Sequence, residues 1–85
     1  REVDGELRVV WDACSELERR VLKAIAHRTV GLTSREAAAR FGLAKSGSIR
    51  QAVERLARAG TIIADETTRS GYRVVDPLLA AWLRE

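Results

Sequence analysis

Residues 33–76 decide the fold of this chain, and they read TSREAAARFGLAKSGSIRQAVERLARAGTIIADETTRSGYRVVD. The first half holds two short segments with apolar residues at helical spacing, separated by a turn at Gly42 and closed by Gly60. Glycine readily adopts the left-handed conformation that ends a helix, so both glycines predict C-terminal caps. The second half holds two β-rich runs, residues 61–64 and 72–75, around a polar turn. The order is therefore helix, turn, helix and hairpin.

The helix that precedes this stretch has a clear start signal. Ser15 is followed three residues later by Glu18, the pattern of a capping box in which each side chain satisfies a free backbone N–H. Apolar residues then recur on one face and predict a helix over residues 16–28. Thr33 and Glu36 show the same spacing, which predicts a second capping box at the start of the next helix.

Three further elements are predicted around this core. Residues 3–12 have apolar residues at helical spacing and predict a lead-in helix. Residues 29–32 are too few for a helix and suit a short connecting strand. Asp76 and Pro77 predict the start of a last, apolar helix, because proline needs no N–H at the first helical position and aspartate caps it.

These elements together predict an α+β fold, a winged helix-turn-helix with a three-helix core, a small β-hairpin wing and an extra C-terminal helix. We expect residues 15–85 to form this domain. Residues 1–14 are expected to be the lead-in helix or linker from a missing N-terminal region. The chain contains no methionine and starts with Arg1, which predicts that it is a piece of a longer protein.

Composition limits the classes of function. The chain has 85 residues and a net charge of +3, a modest basic bias that is compatible with nucleic acid. No apolar run approaches the ~20 residues of a membrane span, and we expect a cytoplasmic location with no membrane partner. Cys14 and His27 are the single residues of their kinds, so no internal disulfide and no zinc site of cysteine and histidine alone is expected. Without a phosphate-binding glycine loop or a catalytic constellation, we predict neither an enzyme nor a cofactor or metal.

The basic charge is concentrated on the third helix of the predicted core. Residues 45–58 contain four cations and one acidic residue, a net +3 that equals the charge of the whole chain. Its apolar stripe consists of Ile49, Ala52, Val53 and Leu56. Because the opposite face is polar, we expect this helix to lie in the major groove of double-stranded DNA, with arginine at the hairpin as a second contact. The predicted DNA-binding residues are Lys45, Ser46, Ser48, Arg50, Gln51, Arg55, Arg58, Arg69 and Arg73.

The same charges have a structural interpretation. Arg50 and Arg58 each lie four residues from Glu54, and such pairs stabilise an exposed helix without any ligand. From charge alone, DNA contact and a solvated helix face are equally favoured. The small polar start of the helix favours DNA, since it allows close approach to a phosphate backbone, whereas Glu54 disfavours it by repulsion.

Two stretches carry a resemblance to a known family. Residues 32–43 (LTSREAAARFGL), 46–49 and 56–60 resemble many winged-helix DNA-binding proteins. Residues 72–83 (YRVVDPLLAAWL) resemble the C-terminal winged-helix domains of AAA-type P-loop ATPases of the archaeal-like and bacterial group. This resemblance implies a missing N-terminal ATPase module in the same chain as a partner. The turn over residues 43–49 is one residue longer than the usual spacing, which leaves open whether Ser46, Ser48 or Gln51 would reach a base.

The sequence therefore predicts a double-stranded DNA-binding winged-helix domain, accessory to an ATPase. The alternative is a regulatory module that packs on the ATPase or on another copy, as a homodimer, without binding DNA. In that alternative the apolar last helix forms the protein interface. Its predicted interface residues are Leu79, Trp82 and Leu83.

Overall fold

A computed structural model describes residues 2–43 and 46–85, with side chains for residues 5–43 and 47–85. In this part of the chain, five helices and one antiparallel hairpin form an α+β fold, as predicted. Within the described range, no helix is long and apolar enough to cross a membrane. In chain order the elements are α1 (Glu2–Asp12), α2 (Glu16–Ala26), α3 (Arg35–Phe41), α4 (Ser46–Arg58), β1 (Ile62–Ala64), β2 (Tyr72–Val74) and α5 (Pro77–Arg84).

Helix α2 forms the centre of the core. Leu22 and Ile25 are at most 1% exposed, and burying each aliphatic side chain of this size contributes about 1.5–3 kcal/mol. The apolar stripe of α4 packs against α2, and the prediction of that stripe is confirmed because all four of its members are buried. Because this stripe faces the core, the opposite face of α4 is exposed to solvent.

The predicted helix ends are mostly confirmed. Ser15 and Glu18 form the capping box: Ser15 Oγ accepts the Glu18 N–H at 3.2 Å, and Glu18 Oε1 accepts the Ser15 N–H at 2.7 Å. Gly42 and Gly60 have φ angles of +69° and +80°, in the left-handed region. Asp76 caps α5 by accepting the Leu78 N–H at 2.9 Å.

The predicted capping box at Thr33 is wrong. Helix α3 begins one residue later than expected, and Ser34 is its cap, with Ser34 Oγ accepting the Ala37 N–H at 3.1 Å. The Ser34 hydroxyl also donates to the Gly31 carbonyl at 2.7 Å, which ties the cap to the preceding turn. With Ser34 as cap, the N3 position is Ala37, so no reciprocal acidic partner exists.

Residues 29–32 form turns and not the predicted strand. The Gly31 carbonyl accepts both the Ser34 N–H and the Ser34 hydroxyl, so the chain curves instead of extending. Helix α2 also ends two residues early, at Ala26. The segment still supports the hairpin, because the Arg28 carbonyl accepts the Arg69 N–H at 3.0 Å.

The predicted hairpin is present, although each strand is one residue shorter than expected. Ile63 lies opposite Arg73, and the flanking register pairs are Ile62 with Val74 and Ala64 with Tyr72. Val74 is buried, whereas Arg73 is exposed on the other face of the strand. We refer to β1, β2 and the connecting residues 65–71 as the wing.

The two terminal helices belong to the same core. Leu7 of α1 is only 6% exposed, and Trp11 meets Trp82 of α5 edge to face with ring centroids 5.7 Å apart. The predicted boundary after residue 14 therefore separates two elements of one packed unit. The expected protein interface on α5 needs correction: Leu79 and Leu83 are 3% and 5% exposed, because they pack into this chain's own core.

Candidate nucleic-acid interface

Helix α4 presents a polar face to solvent. Since a helix turns by about 100° per residue, Arg50 and Arg55 lie on opposite flanks, about 140° apart around the axis. Gln51 lies between them, and Arg58 lies about 12 Å further along the axis than Arg50. All four side chains are exposed, as are Gly47 and Ser48. The face thus has a polar centre with a cation on each flank.

The wing is held in place by hydrogen bonds of its own loop. Asp65 Oδ1 accepts the backbone N–H and the hydroxyl of Thr67, at 2.9 and 2.6 Å. The buried Thr68 hydroxyl donates to the Tyr72 carbonyl at 2.8 Å and accepts the Gly71 N–H at 3.1 Å. Together with the bond from the Arg69 N–H to Arg28, these contacts present the exposed Arg69 side chain from a fixed backbone.

Helix α4 and the wing enclose a groove of about 370 Å³. Arg50 lines it from the helix and Arg69 lines it from the wing, so the tertiary structure brings two of the predicted residues to one place. The α4–wing groove is lined by Gly31, Leu32, Thr33, Ile49, Arg50, Val53, Arg69, Ser70 and Tyr72.

Thr33 and Tyr72 are groove residues that were absent from the predicted site. Because Ser34 caps α3, the Thr33 hydroxyl makes no hydrogen bond to any described residue and is exposed beside Arg50 and Arg69. Because the spacing of Thr33 to Glu36 predicts a helix cap, Thr33 was not among the predicted DNA-binding residues. Tyr72 is half-buried and lines the groove, and in the sequence only its position after the polar turn pointed to it.

The charges of this surface are not neutralised by neighbouring carboxylates. In residues 5–43 and 47–85, no acidic side chain lies within 4 Å of the Arg50, Arg55, Arg58 or Arg69 guanidinium groups. The expected pairs of Arg50 and Arg58 with Glu54 are therefore absent at this distance. By contrast, five other arginines have such a partner: Arg19 with Asp12, Arg20 with Glu16, Arg40 with Glu36, and Arg28 and Arg73 with Asp65.

Arg73, predicted as a second DNA contact on the wing, lies apart from the α4–wing groove. It is on the outer face of β2, where Arg73 Nε lies 3.6 Å from Asp65 Oδ2, and it does not line the α4–wing groove. The side chains of two other predicted residues are not described. Lys45 lies outside the described residues, and Ser46 is described only as the first residue of α4.

The residues that could bind a metal or act as a nucleophile do not gather at this surface in the described part of the chain. Among the described residues, no three His, Cys, Asp or Glu side chains group together in a way that would hold a metal ion. Cys14 lies elsewhere, with its Sγ 3.3 Å from the Val10 carbonyl. Partial burial, together with the charge of Glu18, raises the pKa of the Cys14 thiol. His27 caps α2 and lies against Phe41, with ring centroids 5.5 Å apart.

Comparison with known proteins agrees with this architecture. The family described as "Probable winged helix domain" matches residues 7–85, which include α1 from Leu7 onward. Winged helix domains generally bind DNA or regulate other modules, and they are typically non-enzymatic. No curated protein and no solved structure gives a significant match. Because the match spans nearly the whole chain, the protein belongs to the family of probable winged helix domains.

Proposed function

We propose that this domain binds double-stranded DNA through the exposed face of α4 and the α4–wing groove, with little dependence on base sequence. The observation that carries the proposal is that none of the four arginines on this surface has an acidic side chain within 4 Å among the described residues, whereas five of the eight arginines described elsewhere do. Cations that are free to replace the counterions of DNA provide the sequence-independent part of binding.

The geometry suggests a role for each side chain. An α-helix fits the ~12 Å wide major groove, where the centre of its exposed face approaches base edges. Gln51 occupies that centre, whereas Arg50 and Arg55 lie on the flanks that face the two phosphate backbones. Arg69 adds a phosphate contact from the wing, beside Arg50. Glu54 is exposed on the same helix and repels phosphate, which favours moderate affinity.

The proposal extends to a parent protein in which this domain is accessory to an ATPase module. Its support is the resemblance of residues 72–83 to the C-terminal winged helices of AAA-type P-loop ATPases. In such a protein, DNA held by α4 would couple to ATP hydrolysis in the other module. The ATPase part of the proposal is tested by the full-length protein, whose ATPase rate should respond to added DNA.

DNA binding is tested by fluorescence anisotropy with a random-sequence duplex at low and moderate salt. We expect a dissociation constant of ~10⁻⁴ to 10⁻⁶ M at physiological salt, the range of non-specific binding. Arg55→Ala and Arg58→Ala should each weaken binding for all sequences and reduce the slope of log K against log salt by about one. Arg8→Ala is the matched control, since Arg8 lies on α1 near Trp82 and its loss changes the net charge equally.

Two results would contradict this assignment. Unchanged affinity and salt slope in both Arg55→Ala and Arg58→Ala would show that α4 is not the DNA-contacting helix. Absence of binding at low salt would favour the regulatory alternative, in which the domain packs on another module. The structure offers exposed Val75 and Leu78 for such packing, at 44% and 57% exposure, in place of the buried Leu79 and Leu83.

A further inference from the structure

A second cavity lies on the other side of the wing from α4. It has a volume of about 540 Å³, within the ~300–1,000 Å³ of small-molecule sites, and shares no lining residue with the α4–wing groove. The end of α2, strand β2 and helix α5 form its walls. We call it the back cavity, and its lining residues are Ala26, His27, Arg28, Thr29, Arg73, Val74, Val75, Pro77, Ala80 and Arg84.

Three arginines from three separate parts of the chain meet at the back cavity. Arg28 follows α2, Arg73 lies on β2 and Arg84 ends α5. No acidic residue is among the described residues that line the cavity. Converging guanidinium groups from distant positions in the sequence are unlike the solvated charges of a single helix face, because the fold itself must bring them together.

The three guanidinium groups retain unused binding capacity. Arg28 Nη2 and Arg73 Nε lie 3.8 and 3.6 Å from the same oxygen of Asp65, so two cations share one carboxylate. Their side chains are still 57% and 47% exposed. Arg84 Nη1 donates to the Ala26 carbonyl at 3.3 Å, which orients the group and leaves its other N–H donors for a ligand. Three arginines and one aspartate make a local formal charge of +2.

We infer that the back cavity binds the phosphate group of a phosphate ester. The planar guanidinium donates two parallel N–H bonds to a phosphate, and arginine is the residue suited to such recognition. The Thr29 hydroxyl adds a further polar group to the lining. Val75, Pro77 and Ala80 add apolar surface in the same cavity, which fits the organic part of a nucleotide better than a bare ion. This inference is independent of DNA binding by α4.

The test is an amide NMR titration of the whole chain with adenosine monophosphate, and with adenosine as the control ligand that lacks the phosphate. We expect saturable shifts at Thr29, Val75 and Ala80 with the monophosphate and none with adenosine. Arg73→Gln should weaken binding about fivefold, which corresponds to ~1 kcal/mol for one partly exposed charge contact. Arg84→Gln is the second variant, and Arg55→Gln on α4 is the control with equal charge loss and no expected effect.

Three results would overturn the inference: shifts that do not saturate, equal shifts with adenosine, or equal weakening by Arg55→Gln. Arg84→Gln also removes the hydrogen bond from Arg84 to the Ala26 carbonyl at the end of α2. The amide spectrum of this variant without ligand must therefore first match that of the unsubstituted chain, which shows that the fold is unchanged. A short duplex then identifies the source of the phosphate. Displacement of the monophosphate by the duplex assigns the DNA backbone, whereas continued monophosphate binding beside a duplex bound at α4 assigns a free nucleotide.

Discussion

Gly42 illustrates how a single residue ends a helix, here α3. Its φ of +69° costs an L-residue about 1–2 kcal/mol, because Cβ then approaches the neighbouring carbonyl oxygen. A Cβ at this position would also lie 3.1 Å from Arg20 Nη1, the mobile end of a long side chain. Backbone conformation is therefore the larger cost, since the arginine can move aside.

We predict that Gly42→Ala lowers the free energy of unfolding by about 1–2 kcal/mol, measured by urea denaturation. Gly5→Ala is the control for this substitution. Gly5 lies inside α1 with no heavy atom within 4 Å of its would-be Cβ, so alanine there should raise stability by about 0.5–1 kcal/mol through lower chain entropy. Equal effects from the two substitutions would show that the left-handed backbone at Gly42 is not limiting.

At the level of elements, the wing depends on one carboxylate. Asp65 accepts two hydrogen bonds from Thr67 and lies beside Arg28 and Arg73. These contacts favour the charged form, and the Thr67 hydroxyl is the largest cause of the lowered pKa of Asp65. Because the pKa is lower in the folded protein, the stabilisation is complete above the unfolded pKa of about 3.9 and is lost as pH falls through the folded value.

As the pH falls, the wing should therefore lose protection from hydrogen exchange before the core does. We expect the Thr67 and Arg69 amides to be protected from hydrogen exchange at neutral pH and to lose protection below about pH 4, after correction for intrinsic rates. The Ile25 amide in the core serves as the internal reference. Asp65→Asn should show reduced wing protection at neutral pH, since a neutral amide forms no ion pair with Arg28 or Arg73. A wing that remains protected in this variant would rule out the carboxylate as its anchor.

At the level of the whole molecule, α1 and α5 close the domain through the contact between Trp11 and Trp82. The rings meet edge to face, and Arg19 and Lys23 lie over the Trp11 ring at 5.1 and 5.4 Å from its centroid. Edge-to-face pairs contribute ~0.5–1.5 kcal/mol beyond area burial, and exposed cation–π contacts contribute ~0.5–1 kcal/mol. Residues from the two ends of the chain thus stabilise each other.

We predict that Trp82→Ala lowers the free energy of unfolding by about 2–3 kcal/mol, less than the ~3–5 kcal/mol of a fully buried tryptophan because Trp82 is partly exposed. Urea denaturation measures the effect. Leu78→Ala on the same helix is the control, since Leu78 is 57% exposed and should change stability by no more than ~0.5 kcal/mol. Equal losses in the two variants would contradict a structural role of the tryptophan pair.

Local sequence patterns were sufficient to predict the buried stripe of α4, the ends of most helices and the order of the elements, apart from the strand expected at residues 29–32. These features depend on neighbours within about four residues: the capping box at Ser15, the left-handed glycine at Gly42 and the cap at Asp76. The exposure of Arg50, Arg55 and Arg58 followed as well, because burial of one face of a helix turns the other face outward.

The pairing of the charges, and the surfaces on which they meet, depend on the three-dimensional packing of the chain. Asp65 joins Arg28 and Arg73 across the fold, so Arg73 lines the back cavity while Arg69, four residues away, lines the groove with Arg50. Leu79 and Leu83 are a second example. Their apolar pattern predicts burial but does not say whether they are buried in the domain's own core, as they are, or against a partner. Neither result could be predicted from local patterns, because an ion pair or a packing contact depends on the positions of residues that are remote in the chain.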